Sequence, residues 1–128
     1  MKEEEKWFDF SADDIDSAEI MLKAGKYNIV CFFAHQASEK ALKAFLVSKK
    51  LNPPRTHNLV DLTNLCARYD RSFKNILTAA RMLNQFYIPT RYPFATPGMK
   101  MEDPGIEMAE KALDYAREIF SCCRNLAA

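Results

Sequence analysis

Residues 27–34 read YNIVCFFA, and the helical run that they open continues through HQASEKALKAFLVSK to about residue 49. The first half of this run is apolar almost all round. A helix of that kind is buried on several sides, so the segment belongs at the centre of the fold with other elements arranged about it. Ala34, Ala37, Ala41 and Ala44 recur at helical spacing and let neighbouring helices approach closely.

The neighbours are legible from the same period. Over residues 4–24, Trp7, Ser11, Asp14, Ala18 and Met21 step by three or four, with Phe8, Ala12, Ile15 and Leu22 beside them, and Gly25 is a natural terminator. Pro53 and Pro54 make LNPPRT a loop at 51–56. A third helix is expected over about 58–69 with Leu59, Leu62, Leu65 and Cys66 inward, and a fourth over about 72–87 with Phe73, Ile76, Leu77, Ala80, Leu83 and Tyr87 in phase. Asp70 and Ser72 are candidates to cap it. Residues 88–103, with Pro89, Pro93, Pro97 and Gly98, read as an irregular connection, and long loops in small domains are usually functional or disordered. Pro104 suits the first turn of a last helix running to about 125, with Ile106, Ala109, Ala112, Leu113, Ala116, Ile119 and Phe120 inward. No strand pattern competes. The expectation is one all-α domain over residues 1–128, an up-and-down antiparallel bundle of about five helices.

A formal net charge of +1 gives no sign of a broad nucleic-acid or membrane surface, so any anion site must be local. The four cysteines form no C-x-x-C pair, and two histidines do not supply a structural zinc site, so no metal or cofactor is expected. Buried thiols, MKEEEKW at the start instead of a signal-peptide layout, and no membrane-spanning apolar run together read as a cytoplasmic protein. Phosphate loops, dinucleotide fingerprints and H-E-x-x-H are missing.

Three places carry candidate chemistry. In HQASEKALKAF, Gln36, Lys40 and Lys43 share a stripe, and Glu39 pairs with Lys43 one turn on. Spacing alone favours a solvated face, yet the stripe interrupts a buried helix and so points toward a cleft or partner, where lysines can meet phosphate. His35, on the apolar half, reads as a satisfied core histidine. His57 sits where a helix begins, beside free backbone N–H groups, and packing and functional readings remain equally open. In IPTRYPF, prolines stiffen the backbone around Arg91 and Tyr92, which suits an anion clamp with an aromatic neighbour; alone, Arg91 reads as a structural arginine bonding helix-end carbonyls.

Taken together, Trp7, Asp14 and Ala18, the AGKY turn at 24–27, AHQASEKALKAF at 34–45, THNLVDL at 56–62 and PTRYPF at 89–94 resemble the HEPN domain family in order and spacing. The resemblance covers nearly the full chain. It implies a helical bundle that is commonly a homodimer. It also implies a nucleotide or other phosphate-bearing ligand and a minimal nucleotidyltransferase subunit as partner, in a toxin–antitoxin-like pair. The family's recurring polar positions fall on Gln36, Glu39, Lys40, Lys43, His57, Arg91 and Tyr92. One departure matters. The Arg-x4–6-His motif of the family's ribonuclease branch is absent, which argues against an enzyme of that kind and leaves RNA cleavage only to a non-standard pairing of His57 with Arg91. The leading expectation is therefore a binding module, with a displaced-site ribonuclease and a non-catalytic interaction subunit as alternatives.

Overall fold

The computed structural model describes residues 2–87 and 104–128. Five α-helices appear among them: α1 (Glu3–Lys23), α2 (Tyr27–Ser48), α3 (Leu59–Ala67), α4 (Leu77–Asn84) and α5 (Ile106–Ala127). A 3-10 turn, Arg71–Ile76, leads into α4. No strand occurs among the described residues, so the chain is the all-α bundle that the periodicity predicts. Residues 88–103, expected to be irregular and to carry Arg91 and Tyr92, lie outside the described residues.

α2 is the central element, packing against α1, α3, α4 and α5. Its four alanines, Ala34, Ala37, Ala41 and Ala44, are fully buried. They share one core with Ala18 of α1 and the Ala109, Ala112 and Ala116 row of α5. Small side chains at these positions let the backbones come close. The Ser11 Oγ of α1 donates directly to the Ala37 carbonyl of α2 at 2.6 Å. Around this spine Leu42, Phe45, Leu46, Leu59, Leu62, Phe73, Leu83, Leu113 and Ile119 fill the interior. Truncating such a leucine to alanine costs about 2–5 kcal/mol.

Helices α1 and α2 end in the same way. In each, the chain turns into the left-handed region and two N–H groups fold back to close the last turn. At the first, Lys26 N donates to Met21 O and Gly25 N to Leu22 O, with Gly25 at φ 75°. At the second, Leu51 N donates to Leu46 O and Lys50 N to Val47 O, but the left-handed residue is Lys50, at φ 62°. The strain of a side chain there was not visible in KKLNPP.

Several expectations are corrected. The fourth helix is not continuous: its first part is a 3-10 turn, opened by Asp70 accepting from Ser72 N. In that geometry Phe73 and Ile76, three apart, point inward together. Pro104 lies before the last helix, which Gly105 caps. Ile106 is half exposed, because the buried period of α5 begins at Ala109. Leu65 and Phe120 are only partly buried, though both pack on the core.

All four cysteines are free. Burial pushes the thiols of Cys31 and Cys66 up to about 12 and that of Cys123 well above its ordinary value. They are inert packing groups. No helix among the described residues is long and apolar enough to cross a membrane.

Relieving the left-handed lysine is a direct test of this backbone. Lys50→Gly is expected to raise stability by about 0.5–1 kcal/mol, part of the left-handed penalty being offset by glycine's greater unfolded entropy. Urea unfolding measures it; an unchanged or lowered midpoint contradicts the geometry.

Candidate functional site

The polar half of α2 does not face open water. Glu39 and Lys43, one turn apart, keep only 9% and 8% of their side-chain surface exposed, and Lys43 Nζ donates to Glu39 Oε2 at 3.0 Å. Burying an ion pair is costly, and apolar residues of similar size often do as well or better for stability. Some further role for this pair is therefore worth seeking, and it lies at the carboxylate's other oxygen. Glu39 Oε1 accepts from His57 Nδ1 at 2.8 Å.

His57 reaches this position because its backbone is held on several sides. The Pro53–Pro54 loop leaves α2, and Thr56 Oγ1 accepts from Asn58 N at 3.1 Å. Asn58 then caps α3, its Oδ1 accepting from Asp61 N at 3.0 Å. Asn84, at the end of α4, bolts the same corner down: its Oδ1 accepts from Leu59 N at 2.8 Å and its Nδ2 donates to Asn58 Oδ1 at 3.3 Å. From below, His35 Nε2 donates to the His57 carbonyl at 3.0 Å.

His35 itself is fully buried. Burial lowers its pKa, against smaller opposing effects of Gln36, Glu39 and the His57 carbonyl, so it stays neutral with its proton on Nε2. Gln36 Oε1 lies 3.2 Å from the Nδ1 that remains; an amide oxygen cannot donate, so a hydrogen bond to the neutral ring requires the amide turned to bring its NH2 there.

The ring of His57 is also fixed on one face. Tyr87 stacks on it at 4.5 Å between centroids and 18° between planes. Phe32 lies against Tyr87 at 6.3 Å and 22°, and His35 at 5.3 Å and 33°. With Nδ1 donating to Glu39, a neutral His57 presents Nε2 as an acceptor, and that atom has no hydrogen-bond partner among the described residues. The side chain is 49% exposed.

A second pair borders the first. Lys40 Nζ donates to Asp14 Oδ2 of α1 at 2.6 Å. Asp14 is half-buried, and its pKa is raised by desolvation above all, which outweighs the bond and charge of Lys40; the charges of Asp13 and Glu39 push the same way. The cluster thus holds two lysines against two carboxylates and one histidine.

Of the residues singled out from sequence, Gln36, Glu39, Lys40, Lys43 and His57 gather here. Arg91 and Tyr92 lie outside the described residues. Lys43 is committed to Glu39 and Lys40 to Asp14, so neither ammonium is displayed to solvent without a partner. Sequence reasoning missed Asp14, Asn84, Tyr87 and the supporting role of His35. Asp14 did leave a signal, a carboxylate in step with Ser11 and Ala18 on an inward stripe. Tyr87 was read only as a core position. A separate groove between α1 and α5, lined by Glu19, Leu22, Lys23, Glu110, Leu113, Asp114 and Arg117, shares no residue with this cluster. Its arginine is already paired with Glu19 at 2.6 Å and Asp114 at 3.4 Å. Among the described residues no group of three or more metal-ligating side chains is assembled.

The model of the HEPN domain family matches residues 4–126. The fold is similar to that of TT1696 from Thermus thermophilus, at TM-score 0.82 and 29% identity over 98% of this chain and 99% of that one. It is also similar to ST0689, described as an archaeal HEPN homologue, at TM-score 0.79 and 26% identity over the whole of both chains. No curated protein matches the chain.

Two predictions separate structure from function at this cluster. Lys43→Ala strands a buried carboxylate and is expected to cost on the order of 3 kcal/mol, whereas Glu39→Met with Lys43→Met stays within about 1 kcal/mol of wild type or exceeds it. Urea unfolding of both variants decides, and equal losses contradict a buried pair. The second concerns pH. A histidine whose folded pKa is depressed contributes stability above its unfolded value, about 6.5, and loses it as pH falls toward the folded value. Asp14, with a raised pKa, has the opposite sign: its contribution is present below the unfolded carboxylate value and lost as pH rises through the folded one. The thermal midpoint should therefore decline below pH about 6.5, and His35→Asn, lower throughout, should flatten that decline; an unchanged slope contradicts a neutral His35.

Proposed function

This chain belongs to the HEPN domain family, and from that premise we propose that it is a binding module for a nucleotide or another phosphate-bearing ligand. One observation carries the reading. A buried ion pair, Glu39–Lys43, holds a single exposed imidazole by Nδ1 and leaves Nε2 without a partner among the described residues. A core has no need of such a device, and a ligand site does, since a pre-oriented side chain loses little entropy when it binds. In this reading His57 contacts the ligand, Glu39 orients it, Lys43 holds the other oxygen of Glu39, and Gln36 and Lys40 border the site. Arg91 and Tyr92 supply the charge and the aromatic contact that recognise phosphate and its attached group.

The resemblance supports a wider setting: a minimal nucleotidyltransferase as partner in a toxin–antitoxin-like pair, a homodimeric state and a cytoplasmic location. Calorimetric titration with a nucleotide panel tests the core of the proposal. Binding is expected in the wild type and lost at least tenfold in Arg91→Ala and His57→Ala, in line with the worth of a charge-assisted contact. No binding to any nucleotide, alone or with the partner, would overturn it.

A second reading draws on the same geometry. An imidazole held at Nδ1 by a carboxylate and open at Nε2 is arranged as a general base, and a ribose 2′-hydroxyl is a substrate for one. The absent Arg-x4–6-His motif ranks this ribonuclease below the binding module. Incubation of the pure protein with total RNA decides between them: cleavage that His57→Ala removes favours the ribonuclease, and intact RNA favours binding without catalysis.

A further inference from the structure

We infer that this cluster reads the base of a nucleotide and leaves the phosphate to other residues, with the open face of His57 serving as a stacking plate. The inference rests on the binding reading above and names which part of the ligand the described residues take.

The charges come first. Lys40 is bonded to Asp14 at 2.6 Å and Lys43 to Glu39 at 3.0 Å. Each cation is matched by a carboxylate, and the Lys43–Glu39 pair is almost wholly buried. A phosphate arriving here would have to displace an internal carboxylate from its own partner, and it would bring a second anion beside Glu39 and Asp14. The cluster is built to stay neutral.

The rings come next. Tyr87 lies near-parallel to Phe32 and to His57, at 22° and 18° between planes. His57 stacks on Tyr87 and is half exposed. It cannot turn freely, because Glu39 holds Nδ1, His35 holds its carbonyl and Tyr87 covers one face. A flat, fixed and partly exposed ring is a surface on which any nucleobase can lie, and base–aromatic stacking tolerates all bases because each has a π-face. A base on that face leaves Nε2, which lies in the ring plane, beside the attached sugar. As an acceptor, Nε2 can take a hydrogen bond from a ribose hydroxyl. The fitting ligand is therefore a nucleoside unit, free or within a nucleotide.

Calorimetry on the full chain tests this with the four ribonucleosides, their 5′-monophosphates, ribose 5-phosphate and inorganic phosphate as probes. At least one nucleoside should bind, its monophosphate should bind too, and the two base-free probes should bind at least tenfold more weakly. His57→Ala should lose roughly tenfold or more, while His57→Phe, which keeps a flat plate, should stay within about threefold of wild type. 2-Aminopurine riboside should lose fluorescence on binding the wild type and regain it with His57→Ala. Ribose 5-phosphate binding as tightly as a monophosphate, or equal losses in the two variants, would overturn the stacking plate while leaving nucleotide binding standing. Binding of no probe would overturn both.

Discussion

A lysine and a glutamate buried one turn apart in the middle of the central helix set the terms for this molecule. α2 touches every other helix described, so whatever it buries constrains them all. Most of its surface is alanine, leucine and phenylalanine, which settle the packing without directional demands. Glu39 is different. Its two oxygens need two donors, and it finds them at Lys43 and His57. Supplying the second donor requires the chain to leave α2 through a proline loop, return at Thr56–Asn58 and be pinned there by Asn84. The corner between α2, α3 and α4 is thus organised around one carboxylate, and hydrophobic burial provides the stability that lets a charge be kept there.

That arrangement changes the meaning of the lysine stripe. Lysines on a helix face invite a phosphate interpretation, and with a net charge of +1 overall they would be among the few local sources of positive potential. In the folded chain both are engaged by carboxylates. What the site displays is an imidazole whose tautomer, orientation and one face are already decided. The chemistry on offer is hydrogen bonding, stacking or proton transfer, and direct charge neutralisation would have to come from elsewhere, with Arg91 as the residue proposed for it.

How much of this was legible follows from the range of each interaction. Helix positions follow from a local period, so the alanine row of α2, the stop at Gly25 and the inward face of α5 from Ala109 onward could be read directly. Glu39 with Lys43 is also local, an i,i+4 pair, but whether it lies in water or in the core depends on what packs around α2. His57 with Glu39, Lys40 with Asp14 and Tyr87 with three rings are contacts between distant positions, and periodicity carries no information about them. The family resemblance placed Glu39 and His57 on a common list without saying that they touch. Tyr87 fell out of view because its spacing matched the core, and His35 because a satisfied buried histidine looks inert when its acceptor is another histidine's carbonyl. The 3-10 turn at Arg71–Ile76 and the left-handed Lys50 escaped because both depend on backbone closure, to which many side chains adapt.

The hydrogen bonding and proton transfer proposed for the site require that Glu39 fix His57 with its proton on Nδ1 and Nε2 outward. With two histidines in the chain, a long-range proton–nitrogen correlation spectrum of the imidazoles, recorded at alkaline pH, gives two resolved patterns. One ring should carry its proton on Nε2 and belong to His35. The other should carry its proton on Nδ1 and belong to His57, disappearing in His57→Ala and shifting to the common Nε2–H form in Glu39→Met. A wild-type His57 already in the Nε2–H form, unmoved by that substitution, would contradict it.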